Sequence, residues 1–261
     1  MKYRLRHLPS VVRLTFVAIL SIWALSLEAD AQQQSPPANP PPAQHPQSGG
    51  AGKNDQDPKA PGSQTGTTND RIFYAMPNFL TVENAGRVPA LTSKQKFKLV
   101  AEDSFDYFNY PWFGVLAGIS QAEDSEEGYG QGAQGYAKRY GSMFADGTIE
   151  NFTTGALFPS LLHQDPRYYQ LGEGKFLHRA GYAVTRIFVT RTDSGRRHFN
   201  YSEVTGAAVA AGISNAYHPI GDRNFGNTMS VWATDLGWDT FILVVKEFWP
   251  DVRRKLSRSK N

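Results

Sequence analysis

YAVTRIFV, Tyr182–Val189, is the stretch on which the fold class turns. It is the one place where strand-like alternation is visible, and a helical reading fits it as well. Read as helix, it joins a segment from Phe176 to Thr192 that Asp193-Ser194-Gly195 would stop. No other stretch asks for a strand, so the expectation is an all-α domain.

The flanking sequence extends that reading in both directions. Thr92 can cap a helix over Thr92–Asp106, with Gln95 placed for a capping box. Pro111 can open a second helix carrying Trp112, Val115, Leu116 and Ile119, with Gly114 and Gly118 on one side. Gly128, Gly130 and Gly132 mark a loop. A long segment then runs from Ala133 to Leu162, with breaks expected near Asp146-Gly147 and at Pro159. His163-Gln164-Asp165-Pro166 ends it, because the residue before proline avoids helix. Asn200 or Ser202 starts a small-residue helix through Gly212, ended by Tyr217-His218-Pro219. The last helix is expected over Asn224–Lys246. The sum is a single bundle of about six helices.

Short internal matches raise the expectation of a pseudo-symmetric duplication. Phe108-Asn109-Tyr110 returns as Phe199-Asn200-Tyr201, and Gly118-Ile119-Ser120-Gln121-Ala122 as Gly212-Ile213-Ser214-Asn215-Ala216. Phe158-Pro159 returns as Trp249-Pro250. Matches this short also arise by chance, so an unduplicated bundle stands beside that reading.

Residues 1–31 read as an export signal. Lys2, Arg4, Arg6 and Arg13 precede an apolar core, Leu14–Leu27, and Ala29-Asp30-Ala31 has the small-x-small pattern of a cleavage site. That core is shorter than the roughly 20 apolar residues a spanning helix needs. Residues 32–70 hold eight of the 16 prolines and almost no large apolar side chain. Such a segment buries too little surface to offset its ordering entropy, and reads as a disordered linker. The domain is expected over 71–256, with a basic tail at 257–261.

Beyond residues 1–31, 23 basic and 22 acidic side chains remain. A near-neutral chain lacks the field that nucleic-acid binding uses, so no nucleic-acid partner is expected. There is no Cys, hence no disulfide and no Cys-linked lipid anchor. From residue 71 onward there are 30 aromatic residues and 19 glycines, which suits close packing or a membrane interface. An outer-membrane barrel would show repeated alternating segments and a terminal aromatic; neither is found.

No strong catalytic motif is present. His163-Gln164-Asp165 and His218 with Asp222 offer metal-ligand types, but no HExxH or Glu-x-x-His pattern accompanies them. Histidines near helix ends are expected to bond free carbonyls, and neither a metal nor a cofactor is expected. Asp193-Ser194-Gly195 lacks the second loop an aspartic protease needs, and no Gly-x-Ser-x-Gly elbow exists. Asn151-Phe152-Thr153 and Asn200-Tyr201-Ser202 are formal sequons. Asp146/Glu150 and Asp235/Asp239 each put two carboxylates on one helix face, for which a solvated face is expected over acid–base work. Arg179, Arg186, Arg191, Arg196 and Arg197 gather around one helix and its exit. They suit a phosphate or an anionic headgroup, or else pair with acidic residues inside the bundle. The candidate ligand-binding residues are His163, Asp165, Arg167, Arg179, Arg186 and His218.

RYGSMFADGTIENF (Arg139–Phe152), LFPSLLHQDPRYYQ (Leu157–Gln170) and HRAGYAVTRIFVTRTDSGRRHFNY (His178–Tyr201), with ISNAYHP and KEFWPD, resemble an uncharacterised family of exported bacterial envelope proteins. The resemblance covers about residues 73 to 252. It implies a bacterial envelope setting, periplasmic or outer-membrane-associated, and brings no catalytic residue. The expectation is a non-enzymatic envelope domain facing a membrane or envelope component. An exported hydrolase or anionic-lipid binder using the Arg and His/Asp turns is the alternative, and requires His163, Asp165, Arg167 and Arg186 to meet in one pocket.

Overall fold

The computed structural model describes residues 65–68, 70–83 and 88–258. The segment read as an export signal and nearly all of that read as a linker lie outside them. Thr65 and Thr67, at the end of the linker reading, are buried against the domain, with their hydroxyls 2.7 Å apart.

The described residues are mostly helical. Helix α1 (Ser93–Ser104) begins on the expected capping box between Thr92 and Gln95. Helix α2 (Asn109–Ala122) follows, then α3 (Gly132–Phe152). One π-helical turn, Thr153–Leu157, joins α3 without interruption to the short α4 (Phe158–Leu161). The break expected at Gly147 is absent. An added Cβ there would lie 2.7 Å from Phe113 Cζ, so this glycine lets α2 approach α3 closely.

Next come α5 (Phe176–Thr185), α6 (Tyr201–Ser214) and α7 (Phe225–Arg258). Helix α7 is longer than expected because Pro250 lies inside it. Proline lacks the N–H that would bond the carbonyl of residue 246. The amide Nε2 of Gln170 donates to that carbonyl instead, and Arg179 Nη2 donates to the next one, Glu247 O, at 2.6 Å.

Short strands depart from the all-α expectation. β1 (Arg71–Ile72) pairs antiparallel with β2 (Met76–Pro77). β3 (Thr81–Val82) pairs parallel with β5 (Tyr168–Tyr169). β4 (Gln164–Asp165), β6 (Val189–Thr192) and β7 (Arg197–Phe199) form an antiparallel sheet in the order β4-β6-β7. The helix expected over Phe176–Thr192 therefore stops at Thr185, a turn covers Arg186–Phe188, and Val189–Thr192 is a strand. Phe188, Val189, Thr190 and Thr192 are β-formers, and Gly195 at φ +83° supplies the hairpin turn that reverses the chain.

Trp249 of α7 is a centre of the core. It is 1% exposed, meets the rings of Phe73 and Tyr74 at 5.2 and 5.6 Å, and donates Nε1–H to Asp70 at 2.5 Å. Small residues close the other side. Gly206 of α6 has no room for a Cβ, which would meet the backbone of Thr154 in the π turn at 3.1 Å. Among the described residues, no helix is long and apolar enough to cross a membrane.

Candidate functional site

The six residues singled out in the sequence do not form one pocket. His163 sits at φ +51° with its side chain 85% exposed and its Nδ1 3.9 Å from Asp193. Asp165 and Arg167 are both buried and clasp each other, Nη2 to Oδ2 at 2.7 Å and Nε to Oδ1 at 2.9 Å. Arg167 also donates to Pro89 O at 2.8 Å, and Tyr169 donates its hydroxyl proton to Asp165 at 2.7 Å. This pair ties the β4–β5 turn to the segments before α1, and its hydrogen bonds are used internally. Arg179 is held by buried Glu247 at 2.8 Å and Asp251 at 2.6 Å, with its guanidinium 4.6 Å from the Phe248 ring centre. It clamps α5 to α7. Arg186 lies over Tyr182 at the end of α5. His163, Asp165, Arg167 and Arg186 thus do not converge on an open cavity, which removes the support for a hydrolase built from them.

His218 lies elsewhere, in the turn between α6 and α7, and it does not cap a carbonyl. Its Nε2 is 2.8 Å from Asp146 and its Nδ1 is 3.3 Å from Glu126. Tyr217 also donates to Asp146. Burial opposes the charge on His218, but hydrogen bonds to the two carboxylates outweigh it and raise the imidazole to about 10. A ring already protonated at neutral pH has no lone pair to act as a base. The group works there as a cationic latch between two acidic side chains.

An open groove of about 760 Å³ passes this latch, lined by Tyr129, Lys138, Ser142, Tyr217, His218 and Arg223. Tyr129 and Ser142 share a hydrogen bond at 2.5 Å at its wall. Burial lifts the Tyr129 phenol to about 12, so it stays protonated.

From Asp146 a row of acids leads inward, and this corrects the solvated-face reading of Asp146/Glu150 and Asp235/Asp239. Burial, then the charges of Asp239 and Asp146, raise Asp235 to about 7. Burial also raises Glu150, Glu203 and Asp239; the charges of Asp239 and Asp235 add to this at Glu150 and Glu203, whereas hydrogen bonds with Glu203 and Glu150 pull Asp239 part of the way back. Oε1 of Glu150 and Oε1 of Glu203 are hidden from solvent without a donor. A carboxylate can hydrogen-bond another only through a shared proton. Asp235, at about 7, is partly protonated at neutral pH. Lys246 lowers the cost on the inner side of the row, where Asp103 is raised to about 6 by burial. Among the described residues, no three His, Asp or Glu side chains are grouped to hold a metal ion.

The i,i+4 spacing located the carboxylate pairs but not the direction they face. Glu203 carried a weak signal, as the lone acid in an uncharged helix. Lys96 carried none. It is 1% exposed and donates to Gln164 O at 2.8 Å, Pro159 O at 3.1 Å and Asp193 at 2.8 Å.

Comparison with protein-family models, with curated proteins and with solved structures returns no match.

Proposed function

We propose that the chain is an exported, non-enzymatic envelope protein whose helical domain seats on a membrane surface through the outward face of α6. One observation carries this reading. From Val204 to Ser214, α6 has no charged residue, yet only one side is covered. Ser202, Gly206, Ala207, Ala210 and Ala211 are buried, whereas Thr205, Ala208, Val209, Gly212 and Ile213 are exposed. A helix apolar on all sides belongs in an apolar surrounding. Around it, Leu157 is 41% and Leu161 65% exposed on the segment packed against α6, and Arg196, Arg197, Phe199 and Tyr201 stand exposed at its start. Aromatic and basic side chains beside an apolar face suit the interface of a bilayer with anionic lipid. The signal-like residues 1–31 support export, and the resemblance to exported envelope proteins supports the bacterial envelope.

The domain is further read as a bundle of two related halves. Both FNY matches fall at the start of a helix, α2 and α6, and both GISxA matches fall at its end. A loop and a long helix, α3 and α7, follow in each case.

Fractionation of cells expressing the full chain tests the membrane reading, with Val209→Glu/Ile213→Glu as the comparison. The wild type should sediment with membranes and require detergent for release, and the double variant should appear in the soluble fraction. A wild type that is fully soluble in the periplasm overturns the proposal.

A further inference from the structure

Arg71, Arg139, Arg167, Arg179 and Arg253 each reach a carboxylate at 2.6–3.2 Å. Arg186, Arg191 and Arg197 lie together and reach none among the described residues. Their arrangement is costly as it stands. Arg191 and Arg197 are directly opposed across β6 and β7. Thr192 N–H donates to Arg196 O at 2.8 Å, so the neighbouring Arg191/Arg197 pair falls at the narrow, non-hydrogen-bonded spacing, where side chains stand closest. Like charges so placed destabilise a sheet.

The third member comes from the end of α5. Nε of Arg186 is hidden from solvent and has no hydrogen-bond partner. Burial, with the charges of Arg197 and Arg191, lowers the affinity of this guanidinium for its proton. Nearby acids are committed elsewhere. Asp165, beside Arg191 across β4 and β6, accepts from Arg167 and Tyr169, and Asp193 accepts from Lys96.

Two of the guanidinium groups lie over aromatic rings. Arg186 lies 4.6 Å from the Tyr182 ring centre and Arg191 lies 3.9 Å from that of Tyr169. The two rings are joined in turn, because the Tyr182 hydroxyl donates to Tyr169 O at 2.7 Å. Stacked guanidinium groups present their N–H forks without further ordering, which suits tetrahedral oxyanions. We propose that Arg186, Arg191 and Arg197 form a binding site for a phosphate-type dianion, carried by a free phosphoryl compound or by a phosphomonoester lipid headgroup. Arg197 also borders the α6 face, but Val209 and Ile213 lie outside this site, so the two proposals fail separately.

The test uses the full chain with inorganic phosphate, by calorimetric titration, and with vesicles of phosphatidylcholine with or without phosphatidic acid, by co-sedimentation. Phosphate should bind, or phosphatidic acid should enhance vesicle binding, and Arg191→Gln and Arg197→Gln should each weaken that by about tenfold. Each variant should melt no lower than wild type without ligand, because a like-charge contact is relieved. Lysine at either position should give an intermediate loss, since it keeps the charge and loses the fork. Binding of free phosphate points to a soluble ligand; binding only of phosphatidic acid vesicles points to a headgroup. Failure of both probes, or equal binding by wild type and the glutamine variants, overturns the site. Vesicle binding that depends on Val209 and Ile213 but not on Arg191 or Arg197 overturns the site and leaves the membrane reading standing.

Discussion

Pro250 would be expected to end a helix, and α7 passes through it because other residues take over the hydrogen bonding. Gln170 reaches the carbonyl of Lys246 from a neighbouring segment. Replacing Gln170 with Leu keeps the bulk but leaves that partly buried acceptor without its side-chain donor. A loss of about 1–2 kcal/mol in urea unfolding is expected, typical of one unmet buried polar group. Little of this was legible beforehand. Pro250 suggested a stop, since sequence shows where an N–H is missing and not which side chain replaces it. The capping box at Thr92 and Gln95 was legible because all its partners lie within one turn. The Asp165–Arg167 neighbours were likewise singled out in the sequence, but their burial depends on Thr65 and Pro89, far away in the chain.

Among elements, the glycines of α3 separate two roles that look alike in sequence. An added Cβ at Gly141 meets nothing within 4 Å, whereas at Gly147 it presses on Phe113. Gly141→Ala should stabilise the domain by about 0.5–1 kcal/mol through helix propensity. Gly147→Ala should destabilise it by about 1–3 kcal/mol through overpacking. Paired thermal melts check both, and equal effects would refute the close-approach role of Gly147. The helix positions were mostly legible from caps, prolines and apolar spacing. The β6–β7 hairpin was not: the alternation in Tyr182–Val189 falls on a stretch that is helix to Thr185 and turn to Phe188, and the strand begins only at Val189. Long-range pairing with β4 settles the choice, and a local pattern carries no trace of it. The carboxylate faces were hidden for a similar reason: a spacing of four defines a side of a helix but not the neighbour it meets.

For the whole molecule, the titrating groups act mainly in one direction. A group whose folded pKa is raised gives stability that is full below its unfolded value and is lost as pH rises through the folded one. Asp103 and Asp235 lose theirs as pH climbs from the ordinary carboxylate range through about 6 and about 7. Glu150, Glu203 and Asp239 add to the same trend. His218 loses its contribution between 6.5 and about 10. Asp106 is held below the ordinary aspartate range by Arg71 and opposes the trend only at acid pH below that range. The melting temperature should therefore be highest near about pH 4 and fall steadily toward about pH 9. His218→Gln should lower stability at neutral pH by about 3 kcal/mol, by leaving Asp146 and Glu126 without their cation, and should flatten the alkaline part of the profile. Melting curves across pH check both; a profile that rises toward alkaline pH would refute the raised acids.

The π-helical turn between α3 and α4 has a consequence for how this chain tolerates length changes. Each residue advances an α-helix by about 100°, so a one-residue deletion in Thr153–Leu157 would swing everything after it by more than a quarter turn. The rotated part would carry Pro159 and Gln164 away from Lys96, and the Asp165–Arg167 clasp away from Thr65 and Pro89, while Asp146 and Glu150 kept their places. Substitutions between Phe152 and Leu162 are thus limited by size, but insertions and deletions there are limited by phase. Among related sequences, the spacing from Glu150 to Asp165 should hold even where the side chains between them change.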